Sequence, residues 1–325
     1  MSENETLLQV RDLAVGFGKT EVVHGISFDV AAGETMALVG ESGCGKSLTA
    51  LALMRLLPRG ASIRGGRVLF GGRDLAALPE RALRDLRGNE VSLILQEPMT
   101  SLNPVLPIGR QIAEVLLRHK PMSRKQAWQR VLELLALVGI PEPQRRAREF
   151  PHNFSGGMRQ RAMIAMAVAC EPRLVIADEP TTALDVTIQA QVLDLLDDLR
   201  KTLSMAVLLI THDLGVVAQW ADRVTVMYAG RVAEEAPVGP FFQAPRHPYA
   251  RGLLGASVGE SGDAHYTTRR LAEIPGSVAS AAAEPGCPFA PRCPETIPAC
   301  RVRPPSLEAV AAAHRVACPV EVAKR

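Results

Sequence analysis

One short stretch of this chain limits its fold more than any other, because an apolar run, a glycine-rich turn and a helical pattern follow one another directly. The run is Thr35–Gly40, the turn is Gly40-Glu-Ser-Gly-Cys-Gly-Lys-Ser47, and the helical pattern extends from Ser47 to Leu57, before Pro58. The turn has the spacing G-x-x-x-x-G-K-[ST], in which glycines let successive backbone N–H groups turn toward phosphate oxygens. The sequence therefore predicts a buried strand, a phosphate-binding loop and a helix with an anion-favouring N-terminus.

The loop has a specific division of roles between its side chains and its backbone. Lys46 is expected to reach the β- and γ-phosphates of a nucleotide, and the Ser47 hydroxyl is expected to bind Mg²⁺. Cys44 occupies a free position of the pattern and is interpreted as a packing residue. The residues expected to contact the nucleotide here are Gly40, Ser42, Gly43, Cys44, Gly45, Lys46, Ser47 and Leu48.

Up to about residue 235, short apolar runs alternate with longer helical patterns, which indicates an α/β fold with a parallel sheet. Arg173–Ala177 and Ala206–Ile210 are two further candidate strands, and Arg159–Cys170 is a candidate helix. Between residues 103 and 150 the periodicity is helical, with candidates at Ile108–Leu117 and Lys125–Val138. We expect an inserted helical subdomain over about 103–165.

Length and composition restrict the remaining possibilities. The chain has 325 residues, which is too many for one average domain. Its composition, with 47% hydrophobic and 22% charged residues, excludes general disorder. The longest apolar stretch, Ala162–Cys170, is far shorter than the roughly 20 residues of a membrane span, and no export signal opens the chain. A net charge of +3 is too small to indicate nucleic acid as a partner. Beyond Pro237 the pattern weakens, so we expect a domain over 1–236 and an irregular extension over 237–325.

Two further elements complete a nucleotide-hydrolysing set. Leu174-Val-Ile-Ala-Asp178 delivers a carboxylate suited to Mg²⁺, and Glu179 beside it is placed to polarise a water molecule. Phe154-Ser-Gly-Gly-Met158 opens a helical pattern, so Ser155, Gly156 and Gly157 offer a second anion-favouring helix start. Two such starts in one chain are explained if two subunits pair head to tail, with each nucleotide between them.

This set of motifs resembles the nucleotide-binding subunit of ATP-binding-cassette (ABC) transporters. Ser155-Gly-Gly is similar to the signature loop of that family, and Gln96 to the glutamine that links the ATP site to the membrane subunits. The resemblance implies that Asp185 lies in a loop crossing the dimer interface, that His212 contacts the γ-phosphate, and that Phe17 stacks on adenine. It implies an ATPase with Glu179, His212 and Gln96 as catalytic residues and with Mg²⁺ bound by Ser47, Gln96 and Asp178.

Three segments narrow the resemblance to the peptide and nickel importer branch. They are Gln96-Glu-Pro-Met-Thr-Ser-Leu-Asn-Pro104, Phe154-Ser-Gly-Gly-Met-Arg-Gln-Arg161 and Arg246-His-Pro-Tyr-Ala-Arg-Gly-Leu-Leu254. This branch implies a motor subunit for uptake of di- or oligopeptides, nickel or related small solutes. The implied partners are a second homologous ATPase, two membrane-spanning permeases and an extracytoplasmic substrate-binding protein. The implied location is the cytoplasmic side of the plasma membrane. The alternative is a soluble ABC-type ATPase that acts without a membrane partner, and a catalytically inactive cassette is a third interpretation.

Four of the six cysteines crowd the extension, at Cys287, Cys293, Cys300 and Cys318. The C-x₂₋₄-C pairs usual in zinc ribbons are not present, while Pro follows three of the four, as it does a cysteine of some ferredoxins. The spacing also resembles a [4Fe–4S] motif of some dipeptide-importer ATPases. We order the interpretations as an iron–sulfur cluster first, structural zinc second and unligated thiols third.

Overall fold

The computed structural model describes residues 5–96, 101–182, 184–257, 274–278 and 284–324. In chain order, its strands are β1 (Thr6–Phe17), β2 (Thr20–Ala31), β3 (Thr35–Val39), β4 (Ala61–Phe70), β5 (Arg73–Asp74), β6 (Val91–Ile94), β7 (Leu174–Asp178), β8 (Ala206–Thr211), β9 (Arg223–Tyr228), β10 (Arg231–Pro237), β11 (Glu308–Ala311) and β12 (His314–Val316). Its α-helices are α1 (Lys46–Leu53), α2 (Glu80–Leu86), α3 (Ile108–His119), α4 (Arg124–Leu137), α5 (Pro143–Arg146), α6 (Gly156–Val168), α7 (Val186–Leu203), α8 (Leu214–Trp220), α9 (Val238–Gln243), α10 (Pro248–Ser257) and α11 (Pro319–Val322). The predicted α/β class is confirmed.

The chain divides into two compact units, and the first comprises Met1–Leu7, Val30–Glu34 and Arg73–Ile210. Its strands β6, β7 and β8 are parallel, with β7 in the middle. Every residue of β7 is buried, as expected for a strand covered on both faces. This arrangement presents the residue after β7, Glu179, at the carboxyl edge of the strands, which is where α/β folds place ligand sites.

The helices predicted at Ile108–Leu117 and Lys125–Val138 are present as α3 and α4. Helix α3 buries Ile108, Ile112 and Leu116, one residue per turn on one face. Helix α4 begins at a capping box, in which the Ser123 hydroxyl accepts from the Gln126 N–H at 3.3 Å and the Gln126 side chain accepts from the Ser123 N–H at 2.8 Å. The limits of the inserted helical subdomain, 103–165, stay a prediction.

The predicted limits of two helices are wrong. Helix α1 ends at Leu53, not at Leu57, because Arg55 takes a left-handed conformation (φ 49°) and the Leu56 N–H bonds to the Leu51 carbonyl at 2.8 Å. That bond terminates the helix before Pro58 can do so. Helix α6 runs from Gly156 to Val168, not from Arg159 to Cys170, because Ser155 caps it.

The second unit comprises Leu8–Asp29, Thr35–Gly72 and Thr211–Arg325. Strands β1 and β4 are antiparallel, and β3 and β9 are parallel. Strand β10 is antiparallel to both β9 and β12, and β12 is antiparallel to β11. One hydrophobic core joins β3, β9 and β10 to the extension, with Val39 and Val226 packed in the same cluster as Phe241, Tyr249 and Phe289. Residues on both sides of position 236/237 thus share this core, and the domain limits 1–236 and 237–325 stay a prediction. Among the helices that the structure describes, none is long and apolar enough to cross a bilayer.

Candidate nucleotide-binding site

The predicted phosphate loop leaves β3 and enters α1 without regular structure between them. Gly45 is the N-cap of α1 and has φ 102°, a conformation that a residue with a Cβ rarely adopts. A Cβ on Gly40 would lie 2.2 Å from the carbonyl oxygen of Met227 in β9. Glycine at these two positions is therefore required by the backbone path, which is the physical reason for the fixed glycines of the motif.

Lys46 lies under the loop and is only 5% exposed. Its Nζ donates to the carbonyl oxygens of Gly40 at 2.7 Å and Glu41 at 3.2 Å, so one ammonium holds the first turn of the loop together. The Cys44 side chain is fully buried, and burial raises the pKa of its thiol, which fits packing rather than reactivity. Ser42, Gly43 and Ser47 are exposed, and Leu48 is partly buried.

The extension contacts this loop through two residues that the sequence analysis did not single out. The Tyr249 hydroxyl accepts from the backbone N–H of Glu41 at 2.8 Å. Arg292 forms an ion pair with the Glu41 carboxylate, with 2.9 Å between Nη1 and Oε2. Tyr249 lies inside the Arg246–Leu254 segment that carried the resemblance, so its place in that segment was the available signal. No local pattern pointed to Arg292.

In the first unit, the structure brings Gln96 and Thr182 to the predicted catalytic base, Glu179. Glu179 follows β7 with φ 45°, and its Oε2 accepts from the Gln96 side-chain amide at 2.9 Å and from the Thr182 hydroxyl at 2.9 Å. Strained left-handed residues other than glycine are concentrated at functional sites. Asp178, the last residue of β7, is 4% exposed. The carboxylate of Glu179 is thus held in a defined position, and Thr182 is a positioning contact that the sequence analysis did not assign.

The predicted signature loop forms the exposed start of α6. The Ser155 hydroxyl accepts from the Met158 N–H at 3.3 Å, and both Ser155 and Gly156 are exposed. A Cβ on Gly157 would lie 2.8 Å from Cγ2 of Ile188, so this glycine permits contact with α7. Asp185 caps α7, accepting from the Ile188 N–H at 3.0 Å. The signature loop and the Asp185 loop are therefore neighbours, and their exposed side offers N–H groups to a ligand.

His212 and Phe17 belong to the second unit, with the phosphate loop. His212 is exposed and precedes Asp213, whose carboxylate caps α8 through the Gly215 N–H at 2.7 Å. Phe17 ends β1 and is 40% exposed, which leaves part of its ring surface accessible. The roles predicted for His212, Phe17 and Asp185 toward a nucleotide stay predictions. So does the Mg²⁺ set of Ser47, Gln96 and Asp178. Residues 97–100, which belong to the Gln96–Pro104 segment that carried the resemblance, lie outside the described residues.

The four extension cysteines are free thiols; Cys287, Cys300 and Cys318 are buried, and Cys293 is partly buried. Burial, reinforced by the neighbouring thiols, raises the pKa of Cys287 to about 11. The backbone N–H of Cys287 donates to the carbonyl of Cys300 at 2.6 Å. However, within the part of the chain that the structure describes, no three or more His, Cys, Asp or Glu side chains are grouped to hold a metal ion. The geometry thus does not support the predicted iron–sulfur cluster, although the donor type is suitable.

Two family models match the chain. The ABC transporter model matches residues 23–182, and the model for the oligopeptide/dipeptide transporter C-terminal region matches residues 233–300. The fold and the site thus define an ATP-binding-cassette ATPase. The chain is 52% identical to the probable peptide ABC transporter ATP-binding protein y4tR of Sinorhizobium fredii, over 97% of this chain and 95% of that protein. It belongs to the ABC transporter family, among the ATP-binding proteins of peptide transporters.

Other relatives and solved structures agree with this assignment. The dipeptide transport ATP-binding protein DppD of Bacillus subtilis is 51% identical, over 92% of this chain and 90% of that protein. The dimeric ATP-binding cassette MJ0796 bound to ADP and Pi matches with a TM-score of 0.64 and 25% identity, over 71% of this chain and 99% of that one. CbiO1 of Clostridium perfringens matches with a TM-score of 0.64 and 25% identity, over 74% of this chain and 92% of that one. The predicted ATPase activity is therefore confirmed at the level of the family.

Proposed function

We propose that this chain is the ATP-hydrolysing motor subunit of an importer for di- or oligopeptides. The observation that carries the proposal is the match of one chain both to the ABC transporter model and to the oligopeptide/dipeptide transporter C-terminal region. Relatives named for peptide or dipeptide transport align over more than nine-tenths of the chain. Nickel complexes and related small solutes remain the alternative cargo, because the ATPase itself does not bind the solute.

The proposed chemistry gives each predicted residue a role. Lys46 and the loop N–H groups would neutralise the triphosphate, and Ser47, Gln96 and Asp178 would hold Mg²⁺, which would stabilise charge on the transferred phosphoryl group. Glu179 orients or deprotonates the attacking water, and His212 donates to the γ-phosphate. The contacts from Gln96 and Thr182 at 2.9 Å favour this role, because they hold one carboxylate oxygen of Glu179 in a fixed position.

We further propose that each ATP site is completed by a second, homologous ATPase subunit. The exposed start of α6 supports this, since a helix N-terminus capped by Ser155 is suited to the γ-phosphate of a nucleotide bound to a partner. ATP then holds two subunits together, and hydrolysis separates them. Two permeases receive this movement near Gln96, a substrate-binding protein delivers the solute, and the subunit is peripheral on the cytoplasmic side of the plasma membrane.

Substitution of Glu179 by Gln tests the motor assignment. The purified complex carrying Glu179→Gln is expected to retain ATP affinity within about threefold and to lose phosphate release by about 10²-fold or more, because the general base is lost. Glu171→Gln is the matched control, because Glu171 is also a left-handed glutamate (φ 54°) but pairs with Arg130 on the surface. Hydrolysis that is unchanged in Glu179→Gln would reject the assignment. Activity that needs no membrane partner would favour the soluble alternative.

For the extension, we propose that the four cysteines bind an iron–sulfur cluster of structural role, with zinc as the alternative. Burial, with a smaller contribution from neighbouring thiols, raises the pKa of Cys287, Cys293 and Cys318, and a cationic metal centre would favour their thiolate forms, which supports the proposal. When bound, the cluster would cross-link segments up to 31 residues apart, from Cys287 to Cys318. Anaerobically purified protein is expected to contain iron and sulfide, which Cys300→Ser removes and Cys170→Ser, at a buried cysteine elsewhere, does not. A colourless preparation that contains zinc would favour structural zinc over the iron–sulfur cluster.

A further inference from the structure

Among the described residues, Tyr249 and Arg292 of the extension both contact Glu41, the phosphate-loop residue that follows the first glycine of the motif. Its backbone N–H donates to the Tyr249 hydroxyl at 2.8 Å, and its carboxylate pairs with Arg292 at 2.9 Å. Arg292 is separated from Glu41 by 251 positions in the chain. Both partners lie in the C-terminal region shared with oligopeptide/dipeptide transporters. The contact therefore links a part particular to that group of transporters to the loop that binds the nucleotide.

Arg292 is held rigidly for this contact. Its side chain is 4% exposed, and its guanidinium also donates to the carbonyls of Pro275 at 2.7 Å and Ile274 at 3.1 Å and to the Tyr228 hydroxyl at 3.3 Å. Tyr228 and Tyr249 lie 4.6 Å apart between ring centroids, and Phe289 packs edge-on against Tyr228 at 5.2 Å. A buried guanidinium with several fixed partners loses little further entropy when it pairs with a carboxylate.

The charge of Glu41 is unfavourable for the task of the loop. A triphosphate brings several negative charges to a turn that already contains this carboxylate, and like charges in a partly buried site repel strongly. The Glu41 side chain is 26% exposed, so solvent screens it only in part. Arg292 offsets that charge, and Tyr249 holds the Glu41 N–H on the extension side of the loop. The backbone carbonyl of Glu41 meanwhile accepts from Lys46 at 3.2 Å.

We propose that Arg292 is a positioning residue of the ATP site. It neutralises Glu41 and, with Tyr249, keeps the first turn of the phosphate loop in the conformation that accepts a triphosphate. Affinity for ATP therefore depends on the extension. The inference rests on the proposed nucleotide site, and it adds a residue outside the recognised motifs to that site.

The test compares ATP affinity in four full-length variants, with mant-ATP as the fluorescent probe and Mg²⁺ present. Arg292→Gln is expected to raise the Kd about fivefold, equivalent to about 1 kcal/mol, since Glu41 is left unneutralised. Arg292→Lys keeps the charge and is expected to stay within about twofold of wild type. Glu41→Gln is expected to bind at least as tightly as wild type. The double variant Glu41→Gln/Arg292→Gln is expected to recover most of the lost affinity, because the uncompensated charge is removed.

In the assembled complex, Arg292→Gln is expected to raise KM for ATP with kcat unchanged. Arg315→Gln is the matched control: it makes the same charge change in the extension but pairs with Glu235, 3.7 Å away, rather than with the loop.

An unchanged Kd in folded Arg292→Gln overturns the proposal. So does a double variant as weak as Arg292→Gln, since Arg292 would then only brace the fold. If Arg292→Gln does not fold, Glu41→Gln still decides, because weaker binding in that variant contradicts charge neutralisation. Lys46→Ala distinguishes failure of the proposed nucleotide site from failure of the Arg292 proposal. If wild type binds mant-ATP no better than Lys46→Ala, the nucleotide site itself fails, whereas normal wild-type binding leaves the Arg292 results to stand by themselves.

Discussion

A Cβ on Gly40 would collide with backbone, and this makes Gly40→Ala the sharpest test of the loop geometry. The added atom would lie 2.2 Å from the Met227 carbonyl oxygen and 2.8 Å from the Cys44 sulfur. A peptide carbonyl in a strand cannot rotate away, so the cost should reach the upper end of the overpacking range, about 3 kcal/mol. The shift should also weaken ATP binding, because the Gly40 carbonyl accepts from Lys46 at 2.7 Å.

Gly43→Ala is the matched control in the same loop. Gly43 has φ 81°, so alanine is strained there by about 1 kcal/mol, but nothing lies within 4 Å of its Cβ. With about 2.1 cal/mol/K of unfolding entropy per residue, 325 residues convert 1 kcal/mol into a shift of about 1.5 °C. By differential scanning calorimetry, Gly40→Ala should therefore melt about 3 °C below Gly43→Ala. Equal melting temperatures would refute the steric reasoning.

Three other predictions use contacts elsewhere in the chain. Thr182→Val removes a hydrogen bond to Glu179, so kcat should fall with little change in KM, as steady-state phosphate release would show. Tyr249→Phe leaves the Glu41 N–H without its acceptor, which should lower the free energy of unfolding by about 1–3 kcal/mol in urea titrations. Burial lowers the pKa of His247 to about 4 from its usual 6.5. The neutral form is favoured in the folded state, so stability should fall by up to about 3 kcal/mol as pH drops from 6.5 to 4. His247→Gln should remove this dependence.

The elements that were predicted well are those whose determinants are contiguous in the chain. Strand β3, the phosphate loop and the start of α1 lie within 15 residues, and the buried runs of β7 and β8 need no distant information. Helix ends were less predictable. The sequence marks Pro58 as the end of α1, but the left-handed Arg55 ends this helix one turn earlier. Helix α6 begins at the Ser155 cap, which lies before the start of the apolar pattern in the sequence. Capping depends on backbone angles, which periodicity does not report.

The cysteines mark the limit of prediction from spacing. Their spacing indicates a shared site, and burial together with neighbouring thiols raises the pKa of Cys287, but their described geometry does not form a metal-ion site. Ligand spacing shows which donors could share a centre. Whether they converge depends on the side-chain rotamers and on the bound group, neither of which the spacing determines.

By itself, the sequence determined the α/β class, the family and the identity of the phosphate loop, because each depends on residues that are close together in the chain. Only the tertiary structure revealed that Thr182 and Gln96 share one oxygen of Glu179, and that Arg292 forms an ion pair with Glu41. Gln96 and Glu179 are 83 positions apart, and Glu41 and Arg292 are 251 apart. Such contacts arise when folding brings remote segments to one place. The charges of Glu41 and Arg292 interact strongly because the fold holds them 2.9 Å apart.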